Sequence, residues 1–168
     1  MDEGIIEKLR ESIKNKTKIE KIYVIDDNMV AKESRNEESA YNDYWWGRFL
    51  KSLDGVNVPE MHLLVPPDKP LHIHQTRLLN WYIIMERING VHINRISGDY
   101  RKDAFEQRRK QLGVVLELGV FTIDALMPEN ALYDTSNRKL YLIDFEFWRS
   151  GTPEEIEKIY RHLRTVIG

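Results

Sequence analysis

The sequence predicts an α+β domain in which helices flank a small antiparallel sheet. Three observations carry that expectation. Apolar spacing switches repeatedly between the three-and-four repeat of a helix and short β-branched runs. The extended runs are joined by tight turn signals, which links neighbouring strands as hairpins. The chain of 168 residues has the size of one domain around one core.

The elements follow in order. Ile5, Ile6, Leu9 and Ile13 fall on one helical face, so a helix is predicted to end near Asn15. TKIEKIYVIDDNMVAKES reads as a hairpin, with Ile19, Ile22, Val24 and Val30 in its arms and Asp26-Asp27-Asn28 as its turn. Asn36 is placed to cap a helix running through Tyr41, Trp45, Phe49 and Leu53, with Gly55 ending it. VNVPEMHLLV is extended, residues 65–70 form a Pro-rich loop, and NWYIIMERI is a buried strand closed by Gly90. From Asp99 a helix turns Phe105, Leu112, Val115 and Leu116 inward. A loop containing Pro128 leads into a hairpin from NALYD to LYLIDFEF. Thr152-Pro153-Glu154-Glu155 then starts a helix expected to reach about Val166.

Composition narrows the functional classes. Hydrophobic residues at 42% and charged residues at 31% describe a globular protein. No apolar run approaches the roughly 20 residues that span a bilayer. The opening residues lack the basic-then-apolar order of a secretory signal, so an intracellular setting is expected. Without cysteine there is no disulfide or thiolate metal site. A formal charge of -2 argues against a dominant nucleic-acid face, leaving only a local basic patch at Arg101–Lys110.

Three segments stand in a telling order: MVAKE at 29–33, IIMERING at 83–90, and MPENALYDTSNRKLYLIDFE at 127–146. In the last, Asn130 and Asp144 bracket a hairpin, so folding it brings an amide oxygen and a carboxylate together. That is the kind of donor set Mg²⁺ takes from a protein when phosphates supply the rest. Taken in sequence, the three segments resemble those of the protein-kinase-like superfamily. The likeness covers residues from about 19 to 148; it resembles the RIO-type kinases in its reduced size and the lipopolysaccharide-core and aminoglycoside kinases in the LYLIDFE-like ending.

The resemblance implies a two-lobe fold: a small antiparallel N-lobe sheet with one helix over residues 1–86, a hinge at 86–90, and a strongly truncated helical C-lobe over 91–168. It implies ATP and Mg²⁺ as cofactors and phosphate transfer to a serine or threonine hydroxyl of a protein. Lys32 would hold phosphates and be positioned by Asp43, which departs from the family's glutamate. Met85 would be the gatekeeper, and the backbone of Glu86 and Ile88 would bind adenine. Asn130 and Asp144 would hold the metal. With 24 residues after Asp144 in this sequence, one helix fits there and an activation segment does not.

Two departures leave alternatives open. No glycine-rich stretch precedes Lys32, since Gly4 is the only glycine there. A phosphate lid would have to come from the hairpin tip at Asp26–Asn28. The family's catalytic aspartate falls five residues before the asparagine, at Ala125, with Asp124 one residue further away. Either Asp124 reaches the acceptor as the base, or the chain is a pseudokinase, a binding module without catalysis. An acceptor on a small molecule is a third reading. His72 and His74 fall on one side of an extended segment as half of a possible zinc site. Arg108, Arg109 and Lys110 read as a solvated helix face. The dense aromatics at Tyr41, Tyr44, Trp45 and Trp46 exceed what one buried helix face needs, which suggests a contact surface for a partner.

Overall fold

A computed structural model describes residues 3–16, 18–19, 21–69, 76–121 and 124–166. Its helices are α1 (Glu3–Lys14), α2 (Glu37–Lys51), α3 (Gly98–Glu117) and α4 (Pro153–Val166). Its strands are β1 (Lys18–Ile19), β2 (Ile22–Val24), β3 (Met29–Ser34), β4 (Met61–Val65), β5 (Trp81–Glu86), β6 (Val91–His92), β7 (Val120–Phe121), β8 (Ala131–Asp134), β9 (Lys139–Leu142) and β10 (Arg149–Ser150). The α+β class expected from the sequence is present.

β1 to β5 form one antiparallel sheet in the order β1-β2-β3-β5-β4. β5 lies inside the sheet, between β3 and β4, and both of its faces are apolar. Tyr82 and Ile84 face α1, where they meet Leu9, Tyr23 and Ala31. Ile83 and Met85 face α2 and pack with Tyr44 and Leu50. Thus two helices cover this sheet, one on each face, where a single helix was expected. β3 obeys the same alternation, with Ala31 toward α1 and Val30 and Lys32 on the other side. A two-residue periodicity therefore aims the Lys32 ammonium at α2.

Local chemistry fixes the helix that receives it. The Asn36 side chain accepts the Ser39 N–H at 2.7 Å, and Glu37 and Glu38 fill the first turn. Past its other end Gly55 adopts φ +81°, a left-handed conformation that glycine takes without steric cost. The remaining chain packs α3 and α4 with a three-stranded sheet, β6-β8-β9, and a two-stranded one, β10-β7. Leu112, Val115, Leu140, Trp148 and Ile159 from this half join the same buried cluster as Tyr44 and Ile83, so one core runs through both halves. Across that core Gly90 lets the chain pass close to β8, because an added Cβ would stand 3.0 Å from Leu132 Cβ and 3.3 Å from Ile88 Cγ2.

The LYLIDFEF segment ends as a strand at Leu142, two residues before Asp144. Of the predicted basic face, Arg109 and Lys110 are exposed, whereas Arg108 is 3% exposed. The helical repeat explains the correction, since Arg108 follows Ala104 by four residues and precedes Gln111 and Leu112 on the inward face. Burial pushes its guanidinium down to about 10, against the charge of Glu129. His72 and His74 lie outside the described residues.

Candidate functional site

The site begins with the backbone of β8 and β9. Ala131 pairs with Leu142, and the Ile143 N–H donates to the Asn130 carbonyl at 3.0 Å. That bond holds Asn130 next to the residue preceding Asp144. Asn130 closes a 3-10 turn, Pro128–Asn130, and its Nδ2 donates to the Asp124 carbonyl at 3.0 Å. With the amide nitrogen committed there, Oδ1 is the atom left for a ligand. Asp144 takes φ +65°, a left-handed conformation that aspartate tolerates better than most residues. It stands two residues past the end of β9.

Lys32, Asp43 and Asp144 meet in one cluster. The Lys32 ammonium pairs with Asp43 Oδ2 and stands 2.6 Å from Asp144 Oδ1. Three elements far apart in sequence therefore converge on one nitrogen. Burial works against the ammonium, but the charges of Asp43 and Asp144 and a hydrogen bond to each raise its pKa above the ordinary lysine value. Asp43 is 2% exposed. Burial pushes its carboxyl up, opposed by Lys32 and by the Phe145 N–H, which donates to Oδ1 at 2.8 Å. Glu38, the other acid early on α2, is exposed.

Asp124 begins a second 3-10 turn, Asp124–Leu126, in which Ala125 also lies. Burial, and after it the charges of Asp144 and Glu146, raise the Asp124 carboxyl above its ordinary value. Asp124, Asp144 and Glu146 thus share one electrostatic neighbourhood. Among the described residues no group of three or more histidine, aspartate and glutamate side chains is gathered to hold a metal. One carboxylate with one amide oxygen is a donor set that Mg²⁺ takes when phosphates complete its shell, so Asp144 and Asn130 are the residues that could hold one.

Glu86 is the last residue of β5. Its N–H donates to the Glu60 carbonyl at 2.8 Å, and its carboxylate accepts the Glu60 N–H at 3.1 Å. Met85 beside it is buried, and Ile88 is half-buried against Gly90. The tip at Asp26–Asn28 is not over the cluster. β3 pairs Met29 with Glu86 and Lys32 with Ile83, so the tip lies at the opposite end of β3, roughly 10 Å along the strand. Its amides are also used, because Asp26 Oδ1 accepts the Asn28 and Met29 N–H groups at 3.0 Å each. The turn between β1 and β2 is the one at the Lys32 end, where the Lys21 carbonyl accepts the Glu33 N–H at 2.8 Å.

Two contributors lie outside the residues singled out from sequence. The Asn42 amide donates to the carbonyls of Phe145, Glu146 and Trp148 at 3.3, 2.6 and 2.9 Å. Together with Asp43 it ties α2 to the segment after Asp144. Glu146 adds negative charge facing Asp124, and its place two residues from Asp144 was the available signal. A cavity of about 480 Å³ opens alongside, lined by Ser39, Asn42, Glu146, Phe147 and Arg149 among others. No family model matches the chain, and no curated protein does. The geometry alone therefore carries the functional argument. No helix among the described residues is long and apolar enough to cross a membrane.

Proposed function

We propose that this chain is a minimal kinase-like phosphotransferase, using ATP and Mg²⁺ to phosphorylate a protein hydroxyl. The observation that carries the reading is the placement of the Lys32 ammonium between Asp43 on α2 and Asp144 after β9. A buried charge needs compensation, and here two carboxylates from different elements supply it. A phosphate entering beside Asp144 would find a fixed cation whose positioning residue, Asp43, is itself held by the Phe145 amide. Phosphoryl transfer asks mainly for such positioning and charge neutralisation.

Each residue has a part in this reading. Lys32 binds phosphate oxygens, and Asp43 holds it in place. Asn130 and Asp144 hold Mg²⁺, which when bound neutralises charge on the phosphates. Asp124 orients the acceptor hydroxyl and takes its proton, a task helped by a carboxyl raised above its ordinary value. The segment at Glu86–Ile88 receives adenine. The cavity beside Asn42 and Glu146 has a volume within the range of ligand pockets, and Glu146 on its wall is two residues from Asp144, which makes it the candidate seat for the acceptor.

The test is incorporation of labelled phosphate from Mg-ATP, into the chain itself or into an added protein. Lys32→Met and Asp144→Asn are each expected to lower it by about 100-fold or more. Asp124→Ala is expected to lower it while leaving a nucleotide-dependent rise in melting temperature. The pseudokinase reading draws on a separate observation, that the tip expected as a phosphate lid lies at the far end of β3 from Lys32, with its amides bound to Asp26. A Mg-ATP-dependent rise in melting temperature without incorporation into any protein or small alcohol would favour that reading. Turnover seen only with an added alcohol would move the acceptor from protein to small molecule. Absence of both binding and incorporation would overturn the nucleotide site.

A further inference from the structure

We propose that two copies of this chain associate through α2, antiparallel, across a two-fold axis at Trp45. Tyr41, Trp45 and Phe49 are 41%, 55% and 44% exposed and stand one above another at four-residue spacing. Folding of one copy does not account for them, because α2 covers the sheet with Asp43, Tyr44, Gly47 and Leu50. Neighbouring rings stiffen the stripe: Tyr41 lies against Trp81 with centroids 5.4 Å apart, and Phe49 against Trp46 at 5.6 Å. A row of fixed aromatic rings is the kind of surface that anchors an interface.

The charges beside the stripe select the occupant. Glu37 and Glu38 fill the first turn of α2, and Arg48 and Lys51 the last. In an antiparallel pair centred on Trp45, Tyr41 of each copy meets Phe49 of the other. Equivalent flanks also meet, which brings Glu37 and Glu38 to the last turn of the opposite helix with its Arg48 and Lys51. The helix is its own electrostatic complement, whereas a partner of one sign would be attracted at one end and repelled at the other. Arg48 is held for this role, its guanidinium lying over the Tyr44 and Trp45 rings at 5.7 and 5.5 Å. Lys51 keeps 46% of its side chain exposed beside Glu86. The rings alone would cover roughly 500 Å² in total, below the roughly 1,000 Å² that a stable interface needs, so the proposed dimer is weak and concentration-dependent.

Sedimentation velocity of the whole chain tests this. The wild type is expected to shift toward a dimer as concentration rises to about 200 µM, and more so at low salt. Trp45→Glu is expected to stay monomeric throughout with an unchanged far-UV spectrum. Glu37→Lys/Glu38→Lys should weaken association about tenfold, and adding Arg48→Glu/Lys51→Glu should restore it. If Trp45→Glu fails to fold, the charge-reversal series decides alone. A monomeric wild type at the highest concentration overturns the proposal, as does a folded Trp45→Glu variant that dimerises normally or a four-fold reversal that restores nothing.

Discussion

Lys32 and Asp43 are each buried by the other's presence, and the consequence of separating them depends on pH. Removing the ammonium in Lys32→Met leaves the buried Asp43 carboxylate with the Phe145 N–H as its donor among the described residues. A loss on the order of 3 kcal/mol is expected at pH 8, because breaking a buried pair strands the other charge. In the variant the Asp43 carboxyl, already pushed up by burial, loses the charge that opposed the push. A carboxyl whose folded pKa exceeds its unfolded value takes up a proton on folding, so stability rises as pH falls toward the unfolded value. Urea unfolding at pH 8 and pH 5 should therefore show a smaller deficit at pH 5; an equal deficit at both would disprove the assignment. At this scale the Lys32–Asp43 pair was legible, because Asp43 shares a helical face with Leu50 and β3 alternates. Asn42 was not, since its three carbonyl partners lie more than a hundred residues away and only the tertiary fold supplies them.

Elements that were legible carry their own start and stop chemistry. α4 shows it most plainly: the Thr152 hydroxyl accepts the Glu155 N–H, and the Glu155 carboxylate accepts the Thr152 N–H. Glu155 also pairs with Arg149 at 2.6 Å, and Arg149, followed by the Thr152 amide, holds its carboxyl down at about 2. A depressed folded pKa gives stability that is present above the unfolded value of about 4.5 and lost as pH falls through about 2. Glu155→Gln should melt lower than wild type at pH 7, with the gap closing between pH 4.5 and 2 in thermal scans. By contrast β1, β6, β7 and β10 have two residues each, too few to display any period. A second expectation at this scale concerns Gly47 on α2. An added Cβ would meet the Met61 side chain, standing 2.8 Å from Cγ. Gly47→Ala should therefore push α2 off the sheet and lower Mg-ATP-induced stabilisation, despite a gain of up to about 1 kcal/mol in helix propensity. Gly47→Ala/Met61→Ala should recover the nucleotide response, and its failure to do so would place the effect elsewhere.

Across the whole molecule, one buried cluster joins Tyr44 of α2, Ile83 of β5, Leu112 of α3, Trp148 and Ile159 of α4. Unfolding one half would expose the core of the other, so a single cooperative transition is expected. Urea curves followed by tryptophan fluorescence and by far-UV circular dichroism should coincide, and separated midpoints would show that the halves unfold independently. Sequence periodicity gave the α+β class but not the sheet order, because β4 pairs outside β5 through contacts distant in the chain. The same gap explains the misplaced lid: a turn sequence identifies a turn without saying which end of the sheet it occupies.

Asp43 and Asp144 pair with the Lys32 ammonium, and Asp124 and Glu146 add negative charge beside Asp144, so carboxylates outnumber cations at the proposed site. A bare triphosphate approaching such a field is turned back, whereas a divalent ion is drawn in. On the proposed reading, occupancy is therefore ordered: the cation arrives first or escorts the nucleotide, and chelation empties the cleft of both.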